Sequence, residues 1–152
     1  ARQILPGQEG RITVKFNTSN YGGREKRETV NVQTNDPAQP FLSLIVTGKV
    51  VKFVETRPAH VRLEGQAGAP LSIDVEILPN KDFPFTILGV QSNGNDTVRG
   101  ELMEQCKSDT NRCVVRVENL KTTSGRYADT IIVLTDNTAK SSFTIPVVVI
   151  LY

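Results

Sequence analysis

The chain has 152 residues, with 18 basic and 16 acidic side chains for a net charge of +2, one His, two Cys and no Trp. That balance lacks the concentrated basic surface of a nucleic-acid binder, and His and Cys are too few for most metal or nucleophilic centres. An apolar share of 38% suits one full core and part of another, with no cofactor expected. The longest apolar runs, Ile131 to Leu134 and Ile145 to Tyr152, fall far short of the roughly 18 to 20 residues of a membrane-spanning helix.

In chain order, Arg11-Ile12-Thr13-Val14-Lys15-Phe16 alternates with a period of two, which predicts a strand with Ile12, Val14 and Phe16 on one face. The same alternation runs through Thr29 to Gln33 and Leu42 to Val46, with turn material at Asn20-Tyr21-Gly22-Gly23 and Asn35-Asp36-Pro37. Three antiparallel strands are therefore expected before residue 48. Beyond Arg57-Pro58 the pattern predicts seven more strands. They lie at Val61 to Leu63, Leu71 to Leu78, Phe85 to Val90, Val98 to Met103, Val114 to Val117, Asp129 to Thr135 and Phe143 to Leu151. Seven strands make a full sandwich. No window of helical length carries an apolar stripe at 3.6 spacing, so almost no helix is expected.

Sliding the chain on itself by 101 positions reveals an internal repeat. Arg11, Val14, Lys15, Thr29, Val32, Thr34, Ala38 and Val46 fall on Arg112, Val115, Arg116, Thr130, Val133, Thr135, Ala139 and Val147 without a gap. The apolar faces stay in phase: Ile12/Val14/Phe16 on Cys113/Val115/Val117, Val30/Val32 on Ile131/Val133, and Leu42/Leu44/Val46 on Phe143/Ile145/Val147. Residues 59 to 110 have no earlier counterpart. The repeat thus predicts an all-β chain made of the C-terminal half of one sandwich (1–50), a linker or shared strand (51–58) and a complete sandwich (59–152). The opening Ala1-Arg2-Gln3-Ile4 has no Met or apolar leader. An upstream region with the remaining strands and an export signal is expected.

A three-stranded sheet carrying Ile12, Val14, Phe16, Val30, Val32, Leu42, Leu44 and Val46 on one face has to be covered. The expectation is a protein partner or self-association through the uncovered face or edge of residues 10–50.

Leu5-Pro6-Gly7-Gln8-Glu9-Gly10, Ile12 to Thr18, Gly22-Gly23, Thr34-Asn35-Asp36-Pro37 and Leu44-Ile45-Val46-Thr47-Gly48-Lys49-Val50 follow one another in an order seen elsewhere. In this order the chain resembles the bacterial DUF1573 and ASPM/SPD-2/Hydin (ASH)-type immunoglobulin-like repeats. The resemblance covers about the first third and, through the repeat, the last 40 residues. It implies a tandem immunoglobulin-like β-sandwich in a larger exported protein, periplasmic, cell-surface or secreted, that serves structure and protein contacts and carries no catalytic residues. Gly125-Arg126-Tyr127-Ala128-Asp129 also resembles the tyrosine corner of such folds, which implies a structural role for Tyr127.

Cys106 and Cys113 enclose a polar loop between two strand-like segments. Either a hairpin disulfide or two thiols fits the residues, with Cys113 in phase with inward Ile12. The exported setting implied by the resemblance favours the bridge. His60 lies outside any nucleophile motif, and Asp74/Glu76 and Glu101/Glu104 read as solvated strand faces. Asn93-Gly94-Asn95-Asp96 lacks the dense acidic set of a calcium loop. Residues 1–57 carry nine basic and five acidic side chains, the remainder nine and eleven. Arg24, Lys26 and Arg27 at one hairpin tip are therefore the candidate contact residues. The rival expectation, a carbohydrate- or ligand-binding module, would draw its aromatic platforms from Tyr21, Tyr127 and Tyr152.

Overall fold

The computed structural model describes residues 7–18, 21–94, 96–107 and 111–152, and every regular element among them is a β-strand. Two compact units divide the chain, Ala1–Val51 and Lys52–Tyr152. Among the described residues no helix is long and apolar enough to cross a membrane.

The first unit is a hairpin of β1 (Glu25–Gln33) and β2 (Phe41–Lys49), antiparallel, with register running from Glu25 opposite Lys49 to Gln33 opposite Phe41. Gly23, at a φ of 82° that a side chain would strain, lets the chain turn into β1. Its N–H donates to Val50 O at 2.7 Å, and Val50 N returns a bond to Arg24 O at 2.8 Å. At the far end Asp36 Oδ1 accepts from Ala38 N at 2.8 Å, a side chain closing its own turn.

The second unit stacks two four-stranded sheets. One has the order β4 (Val61–Gly65), β10 (Ser142–Leu151), β9 (Gly125–Thr135) and β6 (Ile87–Ser92). The other has the order β3 (Val54–Arg57), β5 (Ser72–Pro79), β8 (Arg112–Asn119) and β7 (Val98–Lys107). All pairings are antiparallel except β4 with β10. Inward residues of both sheets form one core, with Val75, Ile77, Val115 and Val117 facing the β9 and β10 positions Ile131, Val133, Ile145 and Val147. Gln105 closes one side of this sandwich. Reaching from β7, its amide bonds both the N–H (2.9 Å) and the C=O (3.0 Å) of Ile87, supplying part of the ladder that β6 lacks at its edge.

All seven strands expected after Pro58 form, in their expected order, as β4 to β10. The expected boundaries need adjustment, because residues 54–57 make the edge strand β3 against β5 and so belong to the second unit. A second difference concerns the opening strand. Residues 11–16 join no ladder among the described residues, and Ile12 is 54% exposed. The fold supplies the reason. Their repeat counterpart β8 does not lie beside β9 and β10 but in the opposite sheet, between β5 and β7. No partner strand for residues 11–16 lies among the described residues, and an alternating segment joins a ladder only where a partner edge is present. The predicted three-stranded sheet is therefore a two-stranded one, with the third segment assigned by the repeat to the other layer.

Candidate docking surface

The repeat holds at the level of individual hydrogen bonds. Shifted by 101, the β1–β2 register coincides with that of β9–β10: Val30 opposes Leu44 as Ile131 opposes Ile145, and Val32 opposes Leu42 as Val133 opposes Phe143. The connecting loops match too. Thr34 N donates to Pro40 O and Thr135 N to Ser141 O, both at 2.9 Å. Thr34 Oγ1 donates to Gln39 O at 2.5 Å, and Thr135 Oγ1 to Lys140 O at 2.7 Å. Asp36 Oδ1 and Asn137 Oδ1 accept from Ala38 N and Ala139 N at 2.8 and 2.9 Å.

What differs is the covering. Phe143 is 6% exposed, Ile145 0% and Val147 1%, whereas their counterparts Leu42 and Val46 are 42% and 38% exposed and Leu44 is half-buried. Among the described residues, both edges of the two-stranded sheet are unpaired. Apolar side chains on a continuous face next to free backbone donors and acceptors form a surface that favours another polypeptide over water.

The basic tip is only partly available. Lys26 Nζ donates to Asn17 O at 2.7 Å, pairs with Glu28 at 3.1 Å and lies 4.6 Å from the centre of the Tyr21 ring. It ties the head of β1 to the segment before it. Arg24 and Arg27 are exposed. Asn20 of the same turn lies outside the described residues.

In the second unit Tyr127 Oη donates to Thr123 O at 3.0 Å and lies 2.7 Å from Thr123 Oγ1, bonding back to the backbone just upstream of β9. Lys26 is its repeat counterpart, so the same position ties the strand head upstream in both units, by a phenol in one and an ammonium in the other. Cys106 and Cys113 are joined by a disulfide with Cα atoms 4.3 Å apart, bridging β7 and β8 across the hairpin whose residues 108–110 lie outside the described set.

The remaining candidates resolve into a solvated charged face. Arg116 clamps Asp74 through two bonds of 2.7 and 2.9 Å, which holds the Asp74 carboxyl below its ordinary value. Arg112 bridges Glu76 (2.7 Å) and Glu104 (3.3 Å), and Glu101 is exposed on the same sheet. His60 is exposed between β3 and β4. Tyr152 is exposed and donates to Glu64, lowering the pKa of that carboxyl together with Arg62. Asn93, Gly94 and Asp96 form a turn whose Asn95 lies outside the described residues, and Asn93 N donates to Thr130 O at 3.0 Å. No group of three metal-ligating side chains occurs among the described residues. A cleft of about 180 Å³ lined by Lys52, Val54, Glu55, Leu78, Pro79 and Asn80 is open and shallow, below the several hundred Å³ common for small-molecule sites.

Sequence reasoning missed two residues that the geometry brings forward. Asp129 is 6% exposed, with Oδ1 accepting from Thr130 N and Oδ2 buried without a partner. Its position is in phase with inward Ile131 and Val133, but a lone carboxylate in such a run does not announce that one of its oxygens will stay without a partner. Gln105 looked like an ordinary surface residue.

The class defined by these observations is an all-β protein with a β-sandwich unit. Its fold is shared with a solved protein of unknown function from Porphyromonas gingivalis W83, at a TM-score of 0.53 and 14% identity over 97% of this chain and 76% of that one. No family model matches the chain. No curated protein matches it either.

Proposed function

We propose that this chain is a non-catalytic structural and protein-docking segment of an exported protein, built from immunoglobulin-like modules of the DUF1573/ASH kind. The observation that carries the reading is the pair of equivalent hairpins, one buried at the centre of a sandwich and one with its apolar face open. Three further features support it. The strand order is consistent with an immunoglobulin-like arrangement, with β3, β5, β8 and β7 in one layer and β6, β9 and β10 in the other, where β4 adds a fourth strand parallel to β10. The Cys106–Cys113 disulfide suits an oxidising compartment such as the periplasm, the cell surface or the outside of the cell. Arg99, Arg112 and Arg116 pair with Glu118, Glu76 and Asp74 on the outer face of the β3–β5–β8–β7 sheet, as charges on a solvated strand face do.

In this role the second unit acts as a rigid spacer, and the face of Val30, Val32, Leu42, Leu44 and Val46 docks a protein partner or a second copy. The test is a Leu42→Lys/Val46→Lys variant. It should lose the binding of an apolar dye and any self-association seen in sedimentation, while the thermal unfolding of the second unit stays in place. Dye binding and sedimentation identical to those of the parent chain would count against the reading.

A further inference from the structure

The two outer faces of the second unit differ in kind. On the β3–β5–β8–β7 sheet the outward positions carry paired charges, Asp74 with Arg116, Glu76 with Arg112 and Glu118 with Arg99. On the β4–β10–β9–β6 sheet, alternation with the buried residues turns Ala128, Ile132, Leu134, Pro146, Val148 and Ile150 outward. Beside them Leu88 stands 68% exposed, and Gly89, opposite Leu134, brings no side chain to cover it. The repeat shows that the fold itself does not require this. At an offset of 101 the six positions are Arg27, Asn31, Gln33, Ile45, Thr47 and Lys49, of which only Ile45 is apolar. Phe41 against Ser142 is the one outward exchange in the opposite sense.

Going beyond the β1–β2 docking face, we infer that this outer sheet face is a contact between two copies of the chain, packed face to face with their β9 strands running in opposite directions. Arg126 stands at the head of β9 and Asp136 just past its end, both exposed and about 33 Å apart along an extended strand. Between them the outward positions of β9 and β10 carry no charge. A second copy turned about a twofold axis brings Arg126 of each chain toward Asp136 of the other, so the unlike pair forms twice. Asp136 Oδ1 accepts from Thr86 N at 2.7 Å, a bond that leaves the negative charge of the carboxylate in place. The charges on β4, Arg62 and Glu64, are paired with one another at 2.7 Å and repel neither copy.

Shape and charge narrow the occupant. Small or short side chains at Ala128, Thr130, Thr144 and Pro146 keep the middle of the face flat, the form that stacks on another sheet about 10 Å away. Strand addition beside β6 is met by Gln105, which already holds the N–H and C=O of Ile87. A lipid surface calls for a basic rim, whereas Arg62 is paired with Glu64 and Arg126 is balanced by Asp136. A contact repeated from module to module along the chain needs the same apolar positions in both repeats, and Asn31, Gln33 and Lys49 break that pattern. Four strands about 4.8 Å apart and about seven residues long make a face of roughly 450 Å², so the pair buries on the order of 900 Å², at the low end of specific interfaces. The dimer is therefore weak, with a dissociation constant of about 0.1 to 1 mM.

The test is NMR of the full 152-residue chain carrying Leu42→Lys/Val46→Lys, which silences the β1–β2 face, diluted from about 1 mM to about 0.05 mM. Amide shifts of Ala128 to Leu134 and Thr144 to Ile150 should move with concentration, those of Asp74 and Arg116 should stay, and translational diffusion should slow at the high end. Ile132→Asn/Leu134→Gln, which installs the residues of the first repeat, should weaken the association about tenfold or more with the remaining sheet shifts kept. Arg126→Glu, at an exposed strand head, should weaken it about 5-fold through its two symmetric pairs. A chain that stays monomeric at about 1 mM, or whose concentration-dependent shifts fall elsewhere, overturns the inference and leaves the β1–β2 reading standing. Association unchanged by Ile132→Asn/Leu134→Gln overturns it as well, and association unchanged by Arg126→Glu overturns the antiparallel arrangement. Failure of the β1–β2 reading shows separately, in the dye binding and sedimentation of the parent chain.

Discussion

The hairpins β1–β2 and β9–β10 share register, loop bonds and apolar phase, yet one is a core and the other a surface. Two equal pieces of local structure thus differ in what they contribute to stability, because burial depends on the opposite layer and the flanking strands. The second unit supplies both, with β5 and β8 above the face and β4 and β6 at the edges. Among the described residues, the first supplies neither.

Matched substitutions sharpen this contrast. The largest difference is expected between Val133→Ala, at 0% exposure, and Val32→Ala. The first should destabilise its unit by about 2 to 3 kcal/mol and the second by less than about 1, from the apolar area each removes from burial. Residue-resolved hydrogen exchange under mild denaturant would read both. Equal losses would mean that the β1–β2 face is covered in solution.

Next comes the position shared by Asp129 and Glu28. Asp129 is buried with one oxygen unpartnered, and Glu28 is exposed beside Lys26. Replacing Asp129 by Val should stabilise the second unit by about 1 to 2 kcal/mol in urea unfolding, since an orphaned buried polar group is removed. Glu28→Val should change stability by no more than about 0.5 kcal/mol. A destabilised Asp129→Val protein would reveal a partner for that oxygen.

Third in size, Thr135→Val should cost about 1 kcal/mol, because Thr135 is buried and its bond to Lys140 O has no easy replacement. Thr34→Val removes the equivalent bond at a half-buried site that water reaches, and should cost roughly half as much.

The smallest effect is electrostatic. Arg116 holds Asp74 in the second unit, whereas its counterpart Lys15 sits on a segment without a ladder. Asp74 has a lowered pKa in the folded state, so its contribution is present above the unfolded value of 3.8 and is lost as pH falls through the folded value. An NMR titration of Arg116→Ala should move the Asp74 midpoint up toward 3.8. An unmoved midpoint would show that the pair does not persist in solution.

Much of the fold was legible in residue order. Strands β4 to β10 stood out because a half-buried strand repeats every two residues and Gly, Asn, Asp and Pro mark the turns between them. Residues 11–16 carried the same signal without becoming a strand, since periodicity reports which face is apolar and not whether an edge is available. The candidate site was legible only in outline. An apolar face in need of cover was foreseeable from the alternation of Val30, Val32, Leu42, Leu44 and Val46. The occupation of Lys26 by Asn17, Glu28 and Tyr21 was not, because those contacts depend on how the turn folds back.

Alternation, turn chemistry and the offset of 101 residues were settled by the amino-acid order alone, since they depend on neighbours along the chain. The assignment of β8 to the layer opposite β9 and β10 and the exposure of one hairpin beside the burial of its twin came only with the tertiary structure. Each depends on which distant strand supplies the hydrogen bonds and apolar surface that a single segment cannot provide for itself.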